Sequence, residues 1–138
     1  MNLDDVKNFL NQYETCVLAT VDGTQPQAAT VGYSVDDDFK ILIATNVATR
    51  KAKNLISNSR VALVVGFEGT TTLQLEGSVR QLDTEESSDR LALHFEKVPG
   101  AKKHLSETGQ GYFLITPTWL KFTDYTKTPN TFETGEFS

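Results

Sequence analysis

The sequence predicts a mostly β fold with short α-helices: an antiparallel barrel of six or seven strands and three or four short helices, in one domain over 1–138. Three observations carry this. Residues 71–82 alternate strictly, with Leu73, Leu75, Gly77 and Val79 on one side and Thr72, Gln74, Glu76 and Ser78 on the other, the period of a half-buried strand. Turn signals such as Asp22-Gly23 link neighbouring strands directly into hairpins. The helical patterns are few and do not alternate regularly with the strands, which disfavours a doubly wound parallel sheet. Closing the sheet into a barrel also removes exposed strand edges.

The elements follow in order. Asn2 is a helix N-cap with Asp4 and Asp5 in the first turn, where acids suit the helix dipole, and Leu3, Val6, Phe9 and Leu10 form the buried side. Residues 15–21 are β-branched and apolar and read as the first strand. Pro26 lacks a backbone donor and belongs at the start or edge of the second strand, over 27–35. Asp36, Asp37 and Asp38 make a polar turn. The third strand, over 39–45, has Phe39, Ile41 and Ile43 on one face and Leu42 and Ala44 on the other, a pattern of burial on both sides.

Thr49 then caps a helix over 50–57 with Ala52, Leu55 and Ile56 as its buried stripe. A strand over 61–67 reaches a turn at Gly69, and the alternating strand over 71–82 follows. Asp83 and Glu86 have capping-box spacing, and the helix after them carries Leu91, Phe95 and Val98 on one side. Pro99-Gly100 breaks it, and a short helix is expected over 101–107. Two last strands, 112–116 and 119–125, are separated by Pro117, and the polar tail from Thr126 is extended.

Composition bounds the function. With 38% hydrophobic and 22% charged residues, the 138-residue chain is globular. A net charge of −5 argues against non-specific binding to nucleic acid or anionic lipid. No apolar stretch approaches the roughly 20 residues that span a bilayer, and residues 1–5 show no signal segment, so no membrane association and a cytoplasmic location are expected. The single cysteine, Cys16, sits in an apolar run and reads as a small buried hydrophobe; no cation stands near it in sequence to activate a thiol. No repeat and no metal-ligating cluster is seen.

The chemistry-bearing stretch is Ala44-Thr45-Asn46-Val47-Ala48-Thr49-Arg50-Lys51-Ala52-Lys53-Asn54-Leu55, where a buried strand ends in a loop that opens a helix. A helix start offers unpaired N–H groups and partial positive charge, and favours an anion. Here Arg50, Lys51 and Lys53 stand where acids are usually placed, at a cost of a few tenths of a kcal/mol each on an exposed helix. A bound phosphate reverses that cost: Arg50 can grip two oxygens, Lys51 adds charge, and the hydroxyls of Thr45 and Thr49 can donate. The alternative is a solvated basic helix face.

This stretch, continued by Arg60-Val61-Ala62-Leu63, resembles the FMN-binding split-barrel family, the relatives of pyridoxamine 5′-phosphate oxidase. Leu18-Ala19-Thr20-Val21-Asp22-Gly23 with Pro26 is similar to the family's opening hairpin. Leu75-Glu76-Gly77-Ser78-Val79 is similar to its long strand, and Ile115-Thr116-Pro117-Thr118-Trp119 to the closing strand of its general stress protein branch. The resemblance implies an antiparallel split β-barrel working as a homodimer, with FMN at the subunit interface. It implies that Arg50 and Lys51 hold the flavin phosphate with Thr49, on the Thr45-Asn46 loop. Ala44 and Thr45 would line the flavin, and Ala29, Thr30, Val31 and Gly32 would run along the ring through their backbone. Ala28, Ala29 and Gly32 are small enough for a flat ring to approach. Thr72 and Gln74 become candidate contacts from the partner chain. Trp119 either caps the cleft or packs at the dimer core.

The chain departs from true pyridoxamine phosphate oxidases. The resemblance would require Tyr, Arg and Ser ligands for the substrate phosphate on the helical segment, which here reads Leu91-Ala92-Leu93-His94-Phe95-Glu96-Lys97. It would also require an Arg–His pair near the C-terminus, where Thr128-Pro129-Asn130-Thr131-Phe132 stands. Vitamin B6 oxidation is not expected. The functions that remain are a flavin oxidoreductase with a small-molecule substrate or reductant, a flavin-storage module without a substrate, and a relative using deazaflavin F420 or haem. For haem, His94 and His104 are the candidate axial ligands, against a reading of both as surface histidines. No catalytic acid or base stands out, as expected where the flavin carries the chemistry.

Overall fold

The computed structural model describes residues 1–104 and 109–137. It contains α1 (Leu3–Leu10), β1 (Thr15–Asp22), β2 (Gln25–Val35), β3 (Ile41–Asn46), α2 (Arg50–Ser57), β4 (Arg60–Val65), β5 (Thr71–Gln81), α3 (Thr84–Lys97), a 3₁₀ helix (Pro99–His104), β6 (Gln110–Asp124) and β7 (Thr131–Thr134). The strands form one antiparallel sheet in the order β3-β2-β1-β4-β5-β6-β7, and a further β3–β6 pairing closes it into a barrel. The predicted mostly β split barrel is thus what the chain forms.

Alternation fills the barrel. Cys16, Leu18, Val31, Tyr33, Ile41, Ile43, Leu63, Leu73, Leu75, Phe113 and Ile115 point inward and are buried. α1 closes one end with Val6, Phe9 and Leu10, and is fixed at its start by reciprocal bonds between Asn2 and Asp5. At the other end, α2 lies against β1, β2 and β5. No helix among the described residues is long and apolar enough to cross a membrane.

Several predicted boundaries shift for local reasons. Phe39 is not in β3. Asp36 Oδ1 accepts from the N–H groups of Asp38 and Lys40, which lengthens the turn and puts Phe39 at φ 64°, although its ring stays in the core. β4 ends at Val65, because Gly66 takes φ 77° and turns the chain early, leaving Phe67 exposed. In α2 the buried stripe is Ala52, Asn54 and Leu55, and Ile56 is 56% exposed.

The expected Leu91, Phe95 and Val98 side of α3 is also corrected. The buried residues are Ser87 and His94, while Leu91, Phe95 and Val98 are half-buried. Pro117 does not split the last strand. A bulge between Glu76 and Gly77 leaves Thr118 as the extra residue on β6, and the strand runs through. The tail adds β7, paired from Thr131–Thr134 to β6. The 3₁₀ helix replaces the start of the helix expected over 101–107, whose residues 105–107 lie outside the described residues.

Candidate functional site

The start of α2 is built by its own sequence. Thr49 is the N-cap: its Oγ1 accepts from Ala52 N (3.3 Å) and donates to Asn46 O (2.8 Å), and the Thr45 hydroxyl lies 3.3 Å from it. Asn46 Oδ1 accepts from Ala48 N at 2.9 Å, which folds the loop between β3 and α2. The Thr49 hydroxyl predicted as a phosphate donor is therefore already engaged in capping.

Beneath the helix, Asn54 is 6% exposed and donates through Nδ2 to Thr20 Oγ1 (2.9 Å) and to Gln27 Oε1 (2.8 Å). Gln27 Oε1 also accepts from Arg50 Nε at 3.2 Å. This chain of bonds pins α2 to the barrel end and draws the Arg50 side chain over β2. Among the described residues the two terminal Arg50 nitrogens make no bond, Lys51 has no partner, and neither cation has an acidic neighbour in an ion pair. The first turn of α2 contains no acid. Arg50, Lys51 and Thr49 border a cleft of about 140 Å³ together with Thr20, Gln27, Ala28 and Ala29. Two unpaired cations at a helix start fit a phosphate.

The other predicted site residues fall elsewhere. Gly32 and Ala44 border a second cavity, of about 330 Å³, beneath α3 and the 3₁₀ helix. Thr30 is exposed on the outer face of β2, and the Val31 side chain points into the core, so its backbone alone is free to meet a ligand. Thr72, Gln74 and Trp119 are on the outer faces of β5 and β6 and border neither the cleft nor this cavity. Thr72 Oγ1 donates to Val65 O (3.3 Å), Gln74 is exposed opposite Lys121, and Trp119 Nε1 donates to Glu133 Oε2 at 2.8 Å.

His94 is not on the surface. It is 1% exposed, and its Nδ1 lies 2.9 Å from Ser34 Oγ on β2. Burial, and then the nearby charge of Lys97, hold its pKa down to about 4. The Lys97 amine donates to Leu10 O (3.0 Å) and lies 4.2 Å from the centre of the Tyr33 ring, and burial lowers its pKa to about 8. Cys16 is fully buried, which pushes its thiol up to about 12 and leaves no thiolate for chemistry. Among the described residues, no group of three His, Cys, Asp or Glu side chains could hold a metal ion.

The sequence reading missed Gln27, Thr20 and Asn54 around Arg50. One signal was present: the alternation that buries Cys16 and Leu18 also carries Thr20 inward, and an inward polar residue needs a partner.

Residues 3–124 match the family described as pyridoxamine 5′-phosphate oxidase. The chain belongs to that family. No curated protein matches it by sequence. Among solved structures, it is similar to a NimC/NimA family protein from Clostridium acetobutylicum, at 24% identity and TM-score 0.74, covering 97% of this chain and 94% of that one. It is similar to HutZ, the haem storage protein of Vibrio cholerae, at 21% identity and TM-score 0.72, covering 85% and 91%. A haem-binding protein from Mycobacterium smegmatis aligns at 15% identity and TM-score 0.81, covering 95% of this chain and 56% of that one, so this chain spans little more than half of that relative. At these identities the likenesses show the shared fold.

Proposed function

We propose that the protein binds FMN, with the flavin phosphate on Arg50 and Lys51, and that it works as a homodimeric flavin oxidoreductase. The observation that carries the reading is the pair of unpaired cations at the start of α2, beside a cleft whose β2 wall is made of Ala28 and Ala29. Bound FMN would supply electron-transfer chemistry that no side chain here provides. The chain's own part is to hold the phosphate and orient the ring along β2.

The test is a fluorescence-quenching titration of FMN and riboflavin against the native protein and Arg50→Ala. Losing a charge-assisted contact of about 1.5–3 kcal/mol weakens FMN roughly ten- to a hundredfold. Riboflavin, lacking the phosphate, is expected to bind poorly and to be indifferent to the change. Equal FMN affinity in both proteins overturns the assignment.

The dimer is supported by the outer face of β1 and β4. Val17, Ala19, Val21, Ala62 and Val64 are half-buried there, and an open cleft of about 580 Å³ is bordered by Ala19, Val21 and Ala62. Light scattering is expected to give twice the chain mass, and a flavin-bound monomer defeats the shared-site arrangement.

A haem reading is favoured by the names of two relatives. Against it, the cavity beside His94, about 330 Å³, suits one ring better than a four-ring macrocycle. The visible spectrum of the purified protein separates a flavin from a Soret band. F420 and a storage role remain as alternatives, and turnover with NADH or NADPH separates enzyme from store.

A further inference from the structure

We propose that Gln27 is a positioning residue for the anion site at the start of α2, an inference that rests on the phosphate reading above: Gln27 fixes the Arg50 guanidinium with its two terminal nitrogens open and its charge uncancelled. Thr20 and Gln27 face each other across the β1–β2 ladder. Asn54, on α2 and 6% exposed, bridges them: its Nδ2 donates to Thr20 Oγ1 at 2.9 Å and to Gln27 Oε1 at 2.8 Å. Thr20 is 3% exposed, so this chain of bonds is anchored in the barrel wall. The same Gln27 oxygen accepts from Arg50 Nε at 3.2 Å.

Two donors converging on one oxygen set the amide. Turning it over would bring Nε2, a donor with no acceptor capacity, against two N–H groups. Gln27 Oε1 is therefore held toward Arg50, whose side chain is otherwise exposed. An untied arginine at a helix start samples many rotamers, and a ligand must order it at the moment of binding. Here the bond through Nε has already restricted it. Among the described residues that bond leaves open the guanidinium edge carrying both terminal nitrogens, the edge that grips two oxygens of a phosphate.

The acceptor is also neutral. Arg80 and Arg90 are held through terminal nitrogens by the carboxylates of Glu86 and Asp36. A carboxylate fixes the side chain but cancels its charge and occupies the nitrogens that an anion needs. Gln27 fixes Arg50 and cancels nothing. Folding alone does not call for the bond. Asn54 already ties α2 to β1 through Thr20, and water competes for both partners of the exposed Arg50–Gln27 bond, so it adds little to stability. Gln27, Arg50 and Lys51 border the same cleft.

The test is a fluorescence-quenching titration of FMN and riboflavin against the native protein, Gln27→Met, Arg50→Ala and the double variant. Gln27→Met keeps the length of the side chain and removes the acceptor. It is expected to weaken FMN by about threefold or more, the scale set by ordering one rotamer-rich side chain, and to leave riboflavin unchanged. In the Arg50→Ala background the same change should cost nothing further, because Gln27 acts through Arg50. An FMN loss below about threefold, an equal loss of riboflavin, or an undiminished loss in the Arg50→Ala background overturns the positioning role. Arg50→Ala alone keeps the two readings apart. If it leaves FMN binding unchanged, the phosphate assignment fails and the role of Gln27 with it. If it weakens FMN while Gln27→Met does not, the assignment stands and the positioning role fails. Gln27→Ala, which also lacks the acceptor, decides the matter if Gln27→Met does not fold.

Discussion

Gly66→Ala is expected to destabilise the protein by roughly 2–5 kcal/mol, far beyond the usual cost of a glycine change. Two costs combine. Gly66 has φ 77°, a conformation that costs an L-residue about 1–2 kcal/mol. Its new Cβ would also stand 2.6 Å from Phe9 Cζ and 2.7 Å from Thr71 O. Phe9 cannot swing away freely, because its ring packs 5.2 Å from that of Phe122 and 5.0 Å from that of Tyr13. Overpacking of this kind adds about 1–3 kcal/mol. Gly69→Ala is the control: φ is 87° but nothing lies within 4 Å, so the conformational cost alone applies. Urea unfolding should show the lower midpoint at an unchanged slope. In the Gly66→Ala background, Phe9→Leu should cost less than it does alone, since the two sites share one space. Equal losses at Gly66 and Gly69 would show that the contact with Phe9 has no weight.

That glycine also shows where sequence reasoning stops. The strand over 61–67 was legible from its β-branched run, but nothing in the run says that Gly66, rather than Gly69, turns the chain. The deciding contact is with α1, about 57 residues away in sequence. The same holds for α3. Its apolar residues predicted a buried side, yet the face turned to the barrel carries Ser87, Arg90, His94 and Lys97, tied to Thr84 O, Asp36, Ser34 and Leu10 O respectively. Periodicity finds apolar stripes and is blind to a polar one satisfied by partners within α3, on β2 and the turn after it, and on α1. Pro117 was misread for a related reason: a proline ends a strand unless a bulge on that strand absorbs its missing donor, and the bulge depends on Gly77 across the ladder. By contrast, the α2 boundaries and the Thr49 cap were legible because they are set by residues within one turn of each other. The basic start of α2 was legible on the same local grounds. Its connection through Gln27 and Asn54 to Thr20 was not, since it joins three elements.

Acidification should loosen the protein through His94, and the sign follows from its burial. The ordinary imidazole pKa of 6.5 applies in the unfolded chain, and the folded value is about 4. Above pH 6.5 the ring is neutral in both states, and the docking of α3 has its full strength. Between 6.5 and 4 the unfolded chain takes up a proton that the folded protein refuses, so stability falls with pH, by at most about 1.4 kcal/mol per unit and about 3 kcal/mol in all. Lys97 does not contribute in this window. Its folded value of about 8 and its ordinary 10.5 place its own loss of stability between those limits, after which it is constant. Glu86, held low by Arg80, loses its contribution only below the ordinary carboxylate range. The window from 6.5 to about 4.5 therefore isolates His94 from these groups. Urea unfolding at pH 7 and pH 5 is expected to show a loss of about 2 kcal/mol in the native protein. His94→Leu should lose much less over the same interval, while being less stable at pH 7 because Ser34 is left without its partner. Amide exchange along α3 should accelerate in the native protein before that of β1 and β4, because the helix is held by a few polar ties and the strands by the core. An identical pH dependence in the native protein and in His94→Leu would show that the buried imidazole does not govern the docking of α3.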